Sequence, residues 1–464
     1  MNTREVIVLF KARPALLAEP LEAVASQLGT NIEETFGRFN VRLRPLFASA
    51  PEFAGTPAPL AGLEKLHGLL PEWRRYHIAH VPTGMADEFA AQMRNQPGVE
   101  AAYAKPPVEC PLAPPDPRAG PTVPPGAPDF IPRQHYLEAA PAGVDARCAW
   151  QVAGGKGGGI QLIDIEGGWQ FSHVDLRQNP GGVIGGTPYQ DIAWRNHGTA
   201  VLGEIRGGEN GFGICGISPE TTVSAISHGN LGSAPAIQLA AQKLNAGDVL
   251  LLEMHRPGPR SGFQTQPDQR GYIAVEWWPD DFLAIQLAVQ KGIIVVEAAG
   301  NGAENLDDVL YDIPDTGFPA SWANPFRGGG RDSGAVIVGA GNPPSGNYGP
   351  DRARLGFSNY GARIDCQGWG REVVSTGYGD LFRHSTDVNN EDYWYTAAFS
   401  GTSSASPMVA GAVACLQGAA RFKGGVLPPL QVRQLLRTSG SPQQGNTAER
   451  IGNRPDLRQL LAVI

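Results

Sequence analysis

Four polar side chains stand where apolar runs stop: Asp164 in GIQLIDIEGGW, His197 in NHGTAVLGEI, Asn301 in IIVVEAAGNG and Ser403 in FSGTSSASPMVAGAVA. Together they supply what acyl transfer requires. A hydroxyl is a poor nucleophile near neutral pH unless a base lies within hydrogen-bond reach. Histidine is that base, and a buried carboxylate fixes its tautomer and stabilises the imidazolium that forms. A carboxamide then donates to the oxyanion, an interaction typically worth about 10²–10³ in turnover. Each residue alone has an ordinary reading: an Asp after a strand caps or turns, a His or a Ser/Thr-rich stretch caps a helix, and AAGN is a turn. Four of them in one order point to chemistry.

The elements around them explain how they can meet. The runs IQLIDI, TVSAIS, DVLLLEM, IIVVEAA and AVIVGA read as strands buried on both faces. Helix-like APAIQLAAQKLNAG and DDFLAIQLAVQKG lie between three of them. Such alternation predicts an α/β fold built on a doubly wound, mostly parallel sheet. In that fold the strand C-terminal ends open onto one crevice. Asp164 and Asn301 are expected at such ends, and His197 and Ser403 at helix N-termini. Upstream, residues 1–103 alternate strand-like runs (VIVLF, FNVRLRPLF at 39–47, YHIAHV at 76–81, PGVEAAYAKP) with helix-like ones at 17–29 and 86–98. This order predicts a small α+β domain of split βαβ type, with 49–73 as an insertion. A proline-dense stretch over 104–134 reads as an extended linker, followed by the main domain over 135–464.

Composition bounds the rest. The 464 residues include 60 Gly and 40 Pro, only 18% are charged, and the net charge is −8. No Lys/Arg run marks a nucleic-acid partner, and no apolar stretch approaches the ~20 residues of a membrane helix. The run in MNTREVIVLFKARP is too short for a signal core. Cys110, Cys148, Cys215, Cys366 and Cys415 are scattered without metal spacing, so free thiols and a reducing compartment are expected. A cytoplasmic location follows, with leaderless export the alternative.

The order Asp–His–Ser, with HGT, AAGN and GTSSASP followed by VAG, resembles the subtilisin-like serine peptidases over roughly residues 135–464. The segment SNYGARIDCQGWGREVVSTG (358–377) is similar to the strand and loop that precede the nucleophile in that family. The resemblance implies a serine endopeptidase with Asp164 as the His-orienting acid, His197 as base, Asn301 as oxyanion donor and Ser403 as nucleophile. It implies protein or peptide substrates and a zymogen inhibited by its own N-terminal domain. The stretch YHIAHVPTGMADEFAAQMRNQPGVEAAYAKP is similar to the second half of such a propeptide, so self-cleavage is expected within 104–134. No cofactor is implied. Calcium is common in the family, yet DVNNEDYW (387–394) and NLDDVLYD (305–312) read as solvated acidic loops, and no metal is expected.

The departures raise further expectations. Asp164 is followed by Ile165 and Glu166 rather than by a small residue and Gly. Positions i and i+2 of a strand share a face, so Glu166 either brings a second carboxylate to the site or turns away into GGW. Where the family has a Ser-Leu-Gly substrate strand, this chain has Glu253, Met254 and His255; these, with Gly300, are the expected substrate-binding residues. His255 either covers the strand edge or points away. Trp277 and Trp278, beside Glu276, Asp280 and Asp281, either pack or wall a pocket, and Glu297 inside an apolar strand needs a partner. One hypothesis is a preference for Lys or Arg read through Glu253; the other is that Glu253 is structural. Two other functions compete. A sedolisin-like acid peptidase would have Glu in place of His197 and an acid in place of Asn301. A pseudopeptidase would bind peptides without cutting them.

Overall fold

The computed structural model describes residues 3–11, 30–47, 75–110, 128–327, 331–384 and 387–464. The expected helix at 17–29, the insertion at 49–73 and most of the linker lie outside these residues.

The first described segments build a four-stranded antiparallel sheet. Strands β1 (Thr3–Phe10), β2 (Arg44–Pro45), β3 (Tyr76–Pro82) and β4 (Val99–Ala104) lie in the order β2-β3-β1-β4. Helices α1 (Thr30–Phe39) and α2 (Ala86–Arg94) accompany it. Ala86, Phe89, Ala90 and Met93 recur at helical spacing on α2 and bury against Val6 and Val8 of β1. FNVRLRPLF is not one strand: Phe39 closes α1, and only Arg44 and Pro45 pair with β3. Pro45 has no donor to extend that ladder.

The main sheet has seven parallel strands. They are β5 (Gln161–Glu166), β6 (Val183–Gly185), β7 (Thr222–Ser227), β8 (Val249–Leu252), β11 (Ile294–Ala298), β12 (Val336–Gly341) and β13 (Cys366–Trp369), ordered β13-β12-β11-β8-β5-β7-β6. The chain starts at β5, runs out to the edge at β6, comes back to β7 beside β5, then crosses to β8 on the other side. The switch point, where ligands bind in such sheets, therefore falls between the C-terminal ends of β5 and β8. Two short ribbons flank it: β9 (His255–Pro257) with β10 (Tyr272–Ala274), and β14 (Val373–Thr376) with β15 (Tyr395–Phe399).

Each sheet face is covered by helices. Leu162, Val223, Val249 and Val338 form one core with Val201, Ile205, Val409 and Val413 of α3 (Ile192–Arg206) and α6 (Thr402–Phe422). Ile163, Ile165, Leu250 and Leu252 form the other with Ile237 and Ile285 of α4 (Ser233–Lys243) and α5 (Pro279–Gln290). Alternation along β5 thus puts Asp164 and Glu166 on the side of α3 and α6. Among the described residues no helix is long and apolar enough to cross a membrane, and all five cysteines are free thiols.

Candidate active site

Asp191 caps α3 by accepting from the Ala193 amide, so His197 lies in the second turn rather than at the helix N-terminus. Its Nδ1 is 2.7 Å from Glu166 Oε2, with both side chains fully buried. This corrects the assignment of the orienting acid to Asp164. The Asp164 carboxylate instead accepts from Trp169 Nε1 at 2.7 Å. The reason is positional: Glu166 is the last residue of β5, just before Gly167 and Gly168 turn the chain away, and it reaches past the strand end. Gly198 makes the room. A Cβ there would lie 2.2 Å from Glu166 Oε1 and 2.4 Å from the Gly168 carbonyl, so the glycine after the histidine seats the carboxylate.

Ser403 is the second residue of α6, entered through Gly401 at φ 108°. Its hydroxyl is hydrogen-bonded to the Glu253 carboxyl, which also accepts from Ser406 Oγ in a short contact. Ser404, by contrast, donates to the Trp369 carbonyl at 2.8 Å. Asn301 follows β11 through Gly300, whose φ is +95° and whose Cβ position lies 2.9 Å from Asn359 Nδ2. Thr402 N and Oγ1 both donate to Asn301 Oδ1, at 2.9 and 3.0 Å. This pins the amide through its oxygen and leaves Nδ2 as the donor, directed at Gln269 Oε1, 3.3 Å away.

The chain's own segment lies across this arrangement. Glu109 and His255 exchange both backbone hydrogen bonds, at 3.1 and 3.2 Å, in an antiparallel bridge. His255 therefore does present a strand edge, and that edge is covered by residues leading out of β4. Gln269 donates to the Cys110 carbonyl at 2.8 Å. Cys110 is buried among the site's acids: desolvation and the charges of Glu166, Glu253, Glu109 and Asp164 push its thiol pKa well up.

Burial dominates the electrostatics. It drives Asp164, Glu166 and Glu253 well above the ordinary carboxylate range, with neighbouring carboxylates adding to the rise at Asp164 and Glu253. It brings His197 down to about 4, the Asp164 charge only partly opposing. Glu204 of α3, buried beyond Glu253, is likewise raised by desolvation. His197 Nε2 makes no hydrogen bond among the described residues.

The other expected residues are placed as follows. Met254 packs in the apolar core. Trp277 and Trp278 are buried against each other, and Trp277 also packs on Trp322, so they pack rather than wall a pocket. Glu297 accepts from the Glu276 amide, and Glu276 is paired with Arg363 at 2.8 Å. Glu253 faces Ser403 and Ser406 in the interior, and among the described residues no basic side chain is paired with it. Asp280 and Asp281 hold Lys105 instead. The acidic loops are ion-paired, Glu391 with Arg195 and Asp308 with Arg260, and among the described residues no group of three His, Cys, Asp or Glu is placed to hold a metal.

A sequence model of the subtilase family matches residues 168–453. Subtilisin DY of Bacillus licheniformis is 26% identical over 300 residues, 63% of this chain and 87% of its own. An intracellular serine protease of Paenibacillus polymyxa is 26% identical over 340 residues, 70% of this chain and 86% of its own. Among solved structures, the epidermin leader peptide processing serine protease of Staphylococcus aureus aligns over 100% of this chain and 99% of its own, with TM-score 0.56 and 15% identity. Fervidolysin from Fervidobacterium pennivorans aligns over 99% and 61%, with TM-score 0.56 and 17% identity.

Proposed function

The chain belongs to the subtilase family and is a subtilisin-family serine protease, and we propose that it is made as a latent endopeptidase that works through a Glu166–His197–Ser403 triad. Glu166 accepts from His197 Nδ1–H, which leaves the Nε2 lone pair for Ser403. On substrate binding, Ser403 Oγ leaves Glu253, passes its proton to Nε2 and attacks the scissile carbonyl. Asn301 Nδ2 donates to the oxyanion, a term realised in the transition state. Collapse expels the amine with the proton from Nε2, and water then releases the acyl group by the reverse sequence.

Latency is supported by one observation above others: Glu109 pairs through both backbone bonds with His255, the strand an extended peptide would use. The first hundred residues act here as an inhibitory domain, and the linker that follows is where it is cut. Incubating the full wild-type chain and its Ser403→Ala form tests this by intact mass and fluorophosphonate labelling. The wild type should be cut within 104–134 and labelled, while Ser403→Ala stays full length and unlabelled. Equal cutting of both, or an unlabelled wild type with no cut, refutes the reading.

A further inference from the structure

Lys105 lies four residues before Glu109 on the segment that pairs with His255, and its side chain is wholly buried. Its ammonium sits 2.6 Å from Asp280 Oδ2, 2.7 Å from Asp281 Oδ2 and 3.0 Å from Ser233 Oγ. All three oxygens belong to the main domain, at the first turns of α5 and α4. Ser233 Oγ donates to Asp281 Oδ1 at 2.5 Å, which turns its lone pairs toward the lysine. Arg256, next to His255 on β9, donates to Ser233 Oγ at 2.7 Å and to the Pro106 carbonyl in a short contact. Ser233 Oγ, touched by both Lys105 and Arg256, thus links the cation site to the strand that pairs with the peptide.

We propose that Asp280, Asp281 and Ser233 form a substrate subsite for an ammonium side chain, so that this peptidase selects peptides with Lys four residues before the residue paired to His255. The proposal rests on the peptidase reading above. Once Lys105 and Glu5 of the first domain leave, two carboxylates remain against the single guanidinium of Arg256, and the pocket needs a cation. Three acceptors around one point match the three donors of an ammonium. A planar guanidinium spreads its donors over a wider fork, so Lys is preferred to Arg. Burial alone would lower the Lys105 pKa, yet Asp280, Asp281 and Glu5 hold it above the ordinary lysine value, so the occupant is charged.

The test uses the full chain with Lys105→Gln, which removes the resident ammonium and weakens the hold of the first domain on the pocket. Quenched peptides differing only in Lys or norleucine are scanned through the upstream positions, and kcat/KM is compared within each enzyme preparation. That ratio cancels whatever fraction of enzyme is latent. One position should favour Lys by at least about tenfold, with Arg between the two. Asp280→Asn or Asp281→Asn should bring the ratio within about twofold, and Ser233→Ala, the mildest change, should lower it partway. A ratio under twofold at every position, or one that survives both Asn changes, overturns the subsite. A chain that cuts neither peptide refutes the peptidase reading instead. The subsite is then judged by anisotropy of the same two labelled peptides on the Lys105→Gln chain nicked within 104–134 by an added protease, and equal affinities overturn it.

Discussion

Replacing Glu166 by Gln removes the carboxyl group that faces His197 Nδ1 while keeping the side-chain volume. The carboxylate is 2.7 Å from Nδ1 in a site with no exposure, so no water takes its place. If the Gln amide turns its NH₂ to Nδ1, the imidazole is driven to the Nε2–H tautomer, which cannot accept from Ser403. Loss of the orienting charge costs about 10⁴ in kcat in a serine triad, or roughly 5.5 kcal/mol at 1.36 kcal/mol per decade. Asp164→Asn should cost less than about tenfold, because its carbonyl still accepts from Trp169 Nε1 and it does not touch the imidazole. Glu166→Asp keeps the charge but retracts it by roughly one bond of 1.5 Å, and should fall between. The assay is turnover of a quenched peptide, expressed per chain cut in the linker as counted by intact mass, with KM measured alongside. A loss of 10³ or more in Asp164→Asn, with Glu166→Gln within about tenfold of wild type, would refute the assignment.

Asn301→Ala should lower kcat by about 10²–10³ with little change in KM, since Nδ2 acts on the oxyanion; an equal rise in KM would show a ground-state contact instead. Gly198→Ala places a Cβ 2.2 Å from Glu166 Oε1, so turnover should drop with a stability cost of about 1–3 kcal/mol from overpacking; full activity would show that the carboxylate need not sit there. Glu253→Gln concerns stability against pH. Its folded pKa lies well above the ordinary 4.5 through burial, with Asp164 adding to the rise. The stability from its bound proton is thus complete below the unfolded value and lost as pH rises through the folded one. Gln keeps an acceptor for Ser406 without titrating, so the melting temperature of the variant relative to wild type should climb as pH rises above the ordinary carboxylate value. A flat difference would mean that Glu253 is ionised throughout.

The parallel sheet was legible because strands buried on both faces read as unbroken apolar runs, as in VLLL of β8 and IVVEA of β11. The first domain was less so. FNVRLRPLF has enough Phe, Val and Leu to pass for a strand, but those side chains reach the core from a helix end and an irregular turn: Phe39, Val41 and Leu43 are all buried there. Helix α1 escaped because Gly37 interrupts its last turn, and glycine costs about 1 kcal/mol in a helix interior.

At the site, residue type misled where position decided. Asp164 and Glu166 share a face, and the choice of aspartate ignored which of the two stands at the strand end. Two signals carried the answer: the glycine pair that stops the strand at Glu166, and the glycine after His197 that opens space for one more methylene. The acids upstream of α5 teach the converse. Glu253 looked like a reader of basic substrates, but a carboxylate attracts a cation only where one can reach it. Buried behind Ser403 and Ser406, with Asp164 rather than Lys or Arg beside it, Glu253 has its pKa pushed up by burial. Asp280 and Asp281 are equally inaccessible to solvent, yet the chain itself seats Lys105 against them. The same side-chain chemistry at the same burial thus meets hydroxyls in one place and a cation in the other, according to what the backbone path brings within 3 Å.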